Sequence, residues 1–425
     1  RYSVDPTNDV AQGATSGGGT GAEFTMTYGV VISFKVGDLV NGSNFTNAAN
    51  NGLVEITAIN GTETVLTVAE TLVAETPPAT AGLVVVGFAT DSGDLDVDMT
   101  GSLPKLTSTA LDFTTLGLIP GEWIFLGGDT SGSGGDQFAT AENNGFARVR
   151  SVAANEMVLD KTANTMVTEA NADRLVKVFM GRFLKNELGT LIKRRTYQME
   201  RQLGVPNTDN PNAVQSEYLI GSVANELSIN MESGSKLEAD LSFVSQDNEQ
   251  RTAAQGLKAG TRKSVTEADL FNTSSDFSRI KLATVEAADA APTPLFAFAQ
   301  SLTLSINNGV EGLKALGVFG SFELNTGTFE VSGDLTAYFA SIEAVQAVRN
   351  NADITLDISM VKDNAGITLD IPLITLGNGQ AQVEQDQPIT LPLDLAASTA
   401  AKIDASLDYT LGVQFWDYLP AAADV

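Results

Sequence analysis

Carboxylates are the side chains of this 425-residue chain with the most scope for chemistry, because histidine and cysteine are both absent. Without histidine there is no Ser-His-Asp triad, no His-ligated zinc and no side chain that titrates near neutral pH unperturbed. Without cysteine there are no disulfides, thiolate metal sites or thiol nucleophiles. An enzyme built from this sequence would have to use carboxylates, lysine or tyrosine.

The densest group of carboxylates is DSGDLDVDM at 91–99, which places three aspartates at alternate positions. A calcium loop of the EF-hand type starting at Asp94 would need Gly at its sixth position and Glu at its twelfth. Met99 and Lys105 stand there instead. The alternation with apolar residues predicts a strand with one acidic face, so we expect no metal site.

Two other kinds of site receive little support. The Gly-rich stretches at 16–21 and 131–136 lack the Gly-Lys-Ser/Thr ending of a phosphate-binding loop, and we interpret them as flexible loops. A carboxylate hydrolase acting on polysaccharide stays an alternative, since acids are plentiful. No aromatic-rich constellation marks one pair of acids, and the chain has only two tryptophans. We therefore expect no cofactor and no enzymatic activity.

The chain is strongly acidic, with 25 Lys and Arg against 52 Asp and Glu and a net charge of −27. Acids occur along its whole length, and no basic tail or stripe is available to neutralise phosphates. Stable nucleic-acid binding is therefore not expected. No run of about 18 apolar residues occurs, so we also expect no membrane span.

The elements that position these residues are predicted to be β-strands. In 351–379, apolar and polar residues alternate on both sides of a KDNAG turn, and 236–244 and 327–339 alternate likewise. One short helix is predicted at 341–350, capped by Ser341, with an apolar face of Ile342, Val345 and Val348 beside Ala344. The sequence therefore predicts a mostly β protein with one short helix.

An Asn-rich loop occurs twice, as FTNAANNG at 45–52 and FATAENNG at 138–145. Each copy follows a similar segment (VGDLV at 36–40, PGEWI at 120–124) and precedes three strand-like segments in the same order. Asn-Gly is a common turn dipeptide, which would explain one loop but not an ordered series of matches. We interpret the repeat as a duplicated β-module of about sixty residues.

One segment departs from the acidic composition. Residues 181–204 contain six basic side chains and two acidic ones: Arg182, Lys185, Lys193, Arg194, Arg195 and Arg201 are the basic ones. A solvated strand-and-loop face is one interpretation. The other is self-association, in which this basic patch contacts an acidic face of another copy. Repetition of such a head-to-tail contact gives rings or open stacks.

Residues 182–251 resemble the tail tube proteins of long non-contractile-tailed bacteriophages. They contain the sequence TYQMER at 196–201, then YLIG and NELSIN within 218–230, a Gly turn, and a strand that includes SFV. The hairpin at 351–379 and the closing segment from 388 onward resemble the second half of that family. Residues 106–180 are similar to a small β-module that many members carry. The additional module at 27–90 is unusual for the family.

This resemblance implies a β-sandwich that closes as a hexameric ring, with rings stacked into a tube through which double-stranded DNA leaves the particle. It also implies the tape measure protein and tail-end proteins as partners, with assembly in the host cytoplasm and a final location in the virion tail. An acidic wall suits such a conduit, because it repels DNA within a Debye length of about 8 Å. Basic groups would instead bind DNA by counterion release.

We therefore predict a tail-tube β-sandwich or barrel domain with one short helix, preceded by two tandem β-modules. The predicted parts are an N-terminal arm at 1–26, a first module at 27–90, a linker strand at 91–105, a second module at 106–180, and the ring-forming sandwich at 181–425.

The polar faces of the sandwich strands must meet water or another chain, since their apolar faces pack into the core. These polar faces carry Glu238, Asp240, Glu330, Asp334, Asp357 and Asp370. We expect Glu238 and Asp240 to line the channel, because they lie in the stretch that most resembles the tube-forming strands of the family. A tandem β-sandwich protein that decorates a capsid or acts as an adhesin is the alternative.

Overall fold

The computed structural model describes residues 11–15, 22–26, 34–61, 65–78, 80–186, 189–192, 194–204, 215–252, 270–284, 294–295, 298–339 and 342–424. Strands predominate among them, which confirms the predicted mostly β class. The α-helix of the described residues is α1 (Glu343–Arg349). Its buried side chains are Ala344 and Ala347, whereas Ile342, predicted on the apolar face, is exposed. Ser341, the predicted cap, lies outside the described residues.

The first twelve strands of the described chain join into one antiparallel sheet, here called the N-terminal sheet. They are β1 (Ala11–Thr15), β2 (Ala22–Met26), β3 (Asp38–Ser43), β4 (Gly52–Ile59), β5 (Val65–Val68), β6 (Gly82–Ala89), β7 (Asp96–Asp98), β8 (Lys105–Thr107), β9 (Trp123–Leu126), β10 (Gly145–Val152), β11 (Glu156–Thr162) and β12 (Lys177–Met180). Their order across the sheet is β1-β2-β5-β4-β3-β6-β12-β9-β10-β11-β8-β7. Residues 91–105, predicted as a linker strand, thus contribute β7 and the start of β8 to this sheet.

Most of the remaining described strands form the C-terminal sheet, whose main path is β13-β26-β24-β25-β22-β19-β15-β14. In chain order the strands after β12 are β13 (Arg182–Lys185), β14 (Tyr197–Gly204), β15 (Gln215–Glu232), β16 (Glu238–Val244), β17 (Asp247–Thr252), β18 (Phe277–Thr284), β19 (Ala299–Asn307), β20 (Glu311–Leu313), β21 (Glu323–Asn325), β22 (Glu330–Tyr338), β23 (Ile354–Lys362), β24 (Ala365–Asn378), β25 (Thr390–Ala397) and β26 (Gly412–Trp416). β16 and β17 pair with β15, β18 pairs with β23, and β23 pairs with β24. β20 and β21 form a separate hairpin.

The C-terminal sheet folds over on itself, because the apolar faces of its strands have to be buried against each other. One core contains the apolar side chains of β15, β19, β22 and β25 together with those of β18, β23, β24 and α1. Two layers result, one containing β16-β15-β19-β22-β25 and the other containing β18-β23-β24. The chain passes from one layer to the other where β24 pairs with β25.

The N-terminal sheet packs against the outer side of the β23-β24 layer. Aromatic and aliphatic side chains from both sheets form the contact: Leu39, Val86, Trp123, Phe125, Phe146 and Phe179 from the N-terminal sheet, and Val361, Trp416, Leu419 and Ala423 from the C-terminal part. The order of layers is therefore the N-terminal sheet, then β18-β23-β24, then β16-β15-β19-β22-β25.

The two copies of the repeated segment have the same strand pairing. In the first, β3 pairs with β4 and β6, and β4 pairs with β5. In the second, β9 pairs with β10 and β12, and β10 pairs with β11. β6 of the first unit pairs with β12 of the second, and the two units share one hydrophobic core. A four-stranded unit thus occurs twice within one continuous sheet.

The asparagines of the first loop hold it closed through backbone hydrogen bonds. Asn51 Oδ1 accepts from the N–H of Phe45 at 2.9 Å, and Asn51 Nδ2 donates to the Phe45 carbonyl at 3.0 Å. Asn50, which is fully buried, accepts from Val73 N–H at 2.8 Å and donates to the Val73 carbonyl at 2.7 Å.

The second loop repeats three of these four contacts, and the Nδ2 of Asn143 donates instead to Glu169 Oε2 at 2.8 Å. Asn144 accepts from the N–H of Phe138 at 2.9 Å and donates to its carbonyl at 3.1 Å. Asn143, also buried, accepts from Val167 N–H at 2.9 Å. The loop sequence occurs twice because both units need the same side-chain amides to close the same turn.

We predict that Asn50→Ala destabilises the protein by about 1–3 kcal/mol, since it removes two hydrogen bonds and leaves polar backbone groups of Val73 without partners. Asn143→Ala should cause a similar loss. Thr46→Ala, at an exposed position of the same loop, is the control and should change stability by less than about 0.5 kcal/mol. Urea unfolding monitored by tryptophan fluorescence measures the differences. Equal midpoints for Asn50→Ala and Thr46→Ala would show that the amides do not stabilise the loop.

Candidate functional surface

A polar face extends across the five strands β16-β15-β19-β22-β25 of the C-terminal sheet. Residues opposite one another on antiparallel strands have their side chains on the same side of the sheet. The register places Glu238, Asn230, Thr303, Asp334 and Asp394 in one row across the five strands. The neighbouring row contains Asp240, Ser228, Ser305, Ser332 and Ala396.

Seven acidic residues share this face: Glu226, Glu232, Glu238, Asp240, Glu330, Asp334 and Asp394. The other residues of these strands on the same side are mainly Ser, Thr and Asn, and none is Lys or Arg. The reverse side of the strands is apolar and packs into the core. We call this surface the acidic face.

The sequence identified part of the acidic face. Glu238, Asp240, Glu330 and Asp334 all lie on it and are exposed. Asp394 was missed, although it stands between two leucines in the alternating run TLPLDL at 390–395. That alternation was the available signal, but only the pairing of β25 with β22 places Asp394 beside Asp334.

β16 is an edge strand whose apolar side is only partly covered. Leu241 on that side is 55% exposed, and Ala239 is exposed as well. The sandwich core therefore does not extend beneath the whole of β16. An unpaired edge with exposed apolar side chains is a surface suited to contact with another chain.

Asp357 and Asp370 were predicted on faces that meet water or another chain, and this expectation is wrong. Both are fully buried, because the outer side of β23 and β24 packs against the N-terminal sheet. They belong to a buried ionic cluster of three cations and three carboxylates: Arg148, Lys161, Arg279, Asp160, Asp357 and Asp370.

At one end of the buried ionic cluster, Arg148 on β10 pairs with carboxylates of both sheets. Its Nε donates to Asp160 Oδ1 at 2.9 Å within the N-terminal sheet, and its Nη1 lies 3.0 Å from Asp370 Oδ2 on β24. Tyr409 Oη donates to the same Asp370 oxygen at 2.8 Å. Burial alone would lower the pKa of Arg148, but the charges of Asp160 and Asp370 raise it well above its usual value.

At the other end of the buried ionic cluster, Asp357 on β23 interacts with two cations. Arg279 Nε donates to one of its oxygens, and Lys161 Nζ on β11 lies 3.7 Å from the other. Burial favours a raised pKa for Asp357, yet the charges of Arg279 and Lys161 hold the pKa of this carboxyl below its usual value. Burial lowers the pKa of Lys161 to about 8, against the attraction of Asp357. Each sheet thus supplies charges that neutralise those of the other.

The basic residues predicted to form a patch within 181–204 lie in two different environments. Arg182 and Lys185 on β13 pair with carboxylates of the same chain, Asp417 at 2.7 Å and Asp408 at 2.9 Å. The positive charges at the start of the patch are therefore compensated within the subunit.

The later patch residues are more accessible. Arg194 and Arg195 precede β14, are exposed, and make no ion pair with another described residue. Arg201 on β14 is 72% exposed and lies 3.9 Å from Glu217. Lys193 lies outside the described residues.

Asp94, the first of the three alternating aspartates in 91–99, stabilises a loop through hydrogen bonds. It accepts hydrogen bonds from the N–H groups of Thr109 at 2.9 Å and Ala110 at 3.1 Å. Within the described residues, no group of three or more acids is placed to hold a metal ion. The described helices include none with the length and hydropathy needed to cross a membrane.

The sequence model of the phage tail tube protein family matches residues 84–411, which is 328 of the 425 residues. The match begins in β6 and includes the acidic face and every residue of the buried ionic cluster. No curated protein matches the chain at a significant level.

We predict that Arg148→Met destabilises the protein by about 3–5 kcal/mol, because it leaves Asp160 and Asp370 buried without their counter-ion. Adding Asp160→Asn and Asp370→Asn to this variant should recover part of the lost stability, because both uncompensated charges are removed. Arg182→Met, which breaks an exposed pair, is the control and should cost only about 0.2–1 kcal/mol. Thermal and urea unfolding measure the series. A loss for Arg148→Met no larger than that for Arg182→Met would contradict the assigned role of the cluster.

Proposed function

The chain belongs to the phage tail tube protein family, and we propose that it forms stacked hexameric rings whose channel conducts DNA out of a long non-contractile tail. Members of this family are structural proteins of the virion tail that assemble with copies of themselves into a tube. The family match over 84–411 is the observation that carries the proposal. A structural family of this kind also suggests that the chain is not an enzyme.

We assign the acidic face to the channel wall. Its seven acids and the absence of Lys and Arg from its strands would give a surface that repels DNA phosphates within a Debye length of about 8 Å. Sixfold repetition would convert each acid into a ring of charges, and stacking would make the wall continuous. DNA could then slide without the counterion release that stabilises binding to basic surfaces.

The order of layers supports this orientation. The N-terminal sheet packs on the β23-β24 layer, and the acidic face lies on the far side of the other layer. If the acidic face lines the channel, the N-terminal sheet with its two repeated units stands on the outside of the tube. There the units could be duplicated without altering the channel.

Two surfaces would supply contacts between neighbouring copies in a ring. The uncovered side of β16, with Leu241, would be buried by an adjacent copy, which would also continue the acidic face from one subunit to the next. Arg194 and Arg195 would meet acidic groups of a neighbour. The tape measure protein and tail-end proteins are the further partners that we propose, with assembly in the host cytoplasm.

Electron microscopy of the concentrated purified protein tests the proposal. Tubes or six-fold rings are expected. A capsid decoration or adhesin protein would instead give isolated particles, and that result would overturn the proposed function.

We predict that Glu238→Lys with Asp240→Lys leaves folding intact, since both sites are exposed, but slows DNA release from particles carrying the variant. The delay should be greatest at low salt, because added salt screens the attraction between lysine and phosphate. Asp91→Lys with Glu142→Lys makes the same change in charge at exposed sites of the N-terminal sheet and should leave release unchanged. Equal rates for the two double variants would place Glu238 and Asp240 away from the channel.

We predict that Arg194→Glu with Arg195→Glu abolishes assembly or makes it more sensitive to salt. Each exposed ion pair contributes only about 0.2–1 kcal/mol, so the effect would come from many copies. Arg349→Glu with Lys402→Glu, at exposed sites elsewhere, is the matched control. Sedimentation at several salt concentrations measures tube formation. Tubes indistinguishable from those of the unmodified protein would exclude these arginines from the subunit contact.

A further inference from the structure

The hairpin of β20 and β21 presents an apolar tip to solvent. Along the chain it follows β19 and precedes β22. Four large side chains near its turn are exposed: Leu316, Val318, Phe319 and Phe322. Leu316 is fully exposed and Phe319 is 89% exposed. We call these four residues the apolar knob.

The knob is held in a fixed position by the stem of the hairpin. Val310 and Leu324 are buried against Val223 on β15. Ser321 N–H donates to the carbonyl of Gln246 at 2.9 Å, and Gln246 Nε2 donates to the Phe322 carbonyl at 2.9 Å. The protein therefore maintains this apolar tip in solvent through a packed and hydrogen-bonded stem.

A second exposed apolar surface lies at the other end of the same strands. Phe298 precedes β19, Tyr338 and Phe339 stand at the end of β22, and Ile389 precedes β25. Backbone hydrogen bonds bring them together, from Tyr338 N–H to the Phe298 carbonyl and from Phe339 N–H to the Ile389 carbonyl, both at 3.0 Å. Phe298 is 72% exposed. We call these four residues the apolar patch.

The knob and the patch are separated by the length of β19 and β22. Each strand has nine residues, which corresponds to roughly 30 Å at about 3.4 Å per residue. Clusters of exposed apolar side chains of this kind mark interaction surfaces in proteins. Here they lie at opposite ends of one strand pair, so they could not contact each other within one subunit.

The turn of the hairpin carries a cation, although its stem carries Glu311 and Glu323, and the loop before β25 carries carboxylates. Lys314 is exposed next to the knob and makes no ion pair with another described residue. Glu384 and Asp386 are exposed next to the patch. A depression of about 300 Å³ adjoins the patch and is lined by Tyr338, Glu384, Pro388 and other, polar residues. If the knob of one subunit contacted the patch of another, Lys314 would lie near the carboxylates of Glu384 and Asp386.

We propose that the apolar knob of one subunit docks on the apolar patch of a subunit in the next ring, with Lys314 beside Glu384 and Asp386. Because the two surfaces differ and lie at opposite ends of the subunit, the contact is heterologous and can repeat without closing. This inference rests on the proposed tube and identifies the surfaces that join its successive rings.

Cysteine cross-linking tests the contact directly, because the natural chain contains no cysteine. Phe319→Cys and Phe298→Cys are introduced into the same chain, the protein is assembled, and the thiols are oxidised. Denaturing gels without reductant should then show a ladder of covalent multimers that continues beyond the hexamer. Each single-cysteine variant should give no ladder, since a disulfide forms only where the Cα atoms approach within about 7 Å.

The outcomes separate this inference from the proposed function. If tubes form but no ladder appears, the proposed contact is wrong and the proposed tube is unaffected. Covalent dimers from Phe319→Cys alone would lead to the same conclusion. A ladder that stops at the hexamer would place the contact within a ring and would also overturn it. Absence of tubes from the unmodified protein, together with absence of a ladder, would overturn both ideas. A long ladder from particles that are not tubes would support the contact and refute the ring-based tube.

Charge reversal provides an independent measurement. Lys314→Glu should reduce tube formation, and adding Glu384→Lys and Asp386→Lys to it should restore tubes. Leu316→Ser with Phe319→Ser should leave rings but abolish their stacking, with an unchanged melting temperature because both sites are exposed. Val36→Ser, at a 63% exposed position of the N-terminal half, is the control and should leave tubes intact. Full tube formation by the double serine variant would refute the contact.

Discussion

The packing of the N-terminal sheet against the β23-β24 layer is the constraint on which the rest of this structure depends, and the centre of that contact is charged. Three cations and three carboxylates are buried there within an aromatic and aliphatic surround. Removing an ion from water costs several kcal/mol unless its partners are well placed. Neither sheet could shift without leaving buried charges uncompensated, so the cluster fixes one arrangement of the layers.

That arrangement determines which polar strand faces remain available to other molecules. Both sides of β23 and β24 are occupied, one by the sandwich core and the other by the N-terminal sheet. The β16-β15-β19-β22-β25 layer has only its apolar side covered, and its acidic side stays open. The acidic face is thus the surface opposite the attachment point of the N-terminal sheet. A tube subunit needs this separation between a channel side and an outer side.

The placement of basic residues follows the same division. In a chain of net charge −27, Arg148, Lys161 and Arg279 are buried between the layers. Arg182 and Lys185 are paired at the edge of the sandwich. Among the residues that the structure describes, no Lys or Arg lies on the acidic face. The basic residues are therefore buried between the layers or lie at the edges of the subunit, and the acidic face is a surface that repels phosphates.

The sequence by itself determined the strands, the repeat and the family, because these depend on local order along the chain. Alternation with a period of two sorts the residues of a strand onto two faces, and it correctly grouped Glu238 with Asp240 and Glu330 with Asp334. The repeated Asn-Asn-Gly loops indicated two equivalent units, and the two units have the same strand pairing. The strand pattern of 182–251 was enough to suggest the tail tube family.

Only the tertiary structure decided what each polar face meets. Asp334 and Asp357 alternate with apolar neighbours in the same way, yet one is exposed and the other is buried beside Arg279. Alternation specifies which side of a strand a residue occupies, but the covering of that side depends on segments far away in the chain. β11, which supplies Lys161 to Asp357, lies about two hundred residues before β23. Pairing between such distant segments depends on the packing of whole sheets, which no local pattern encodes.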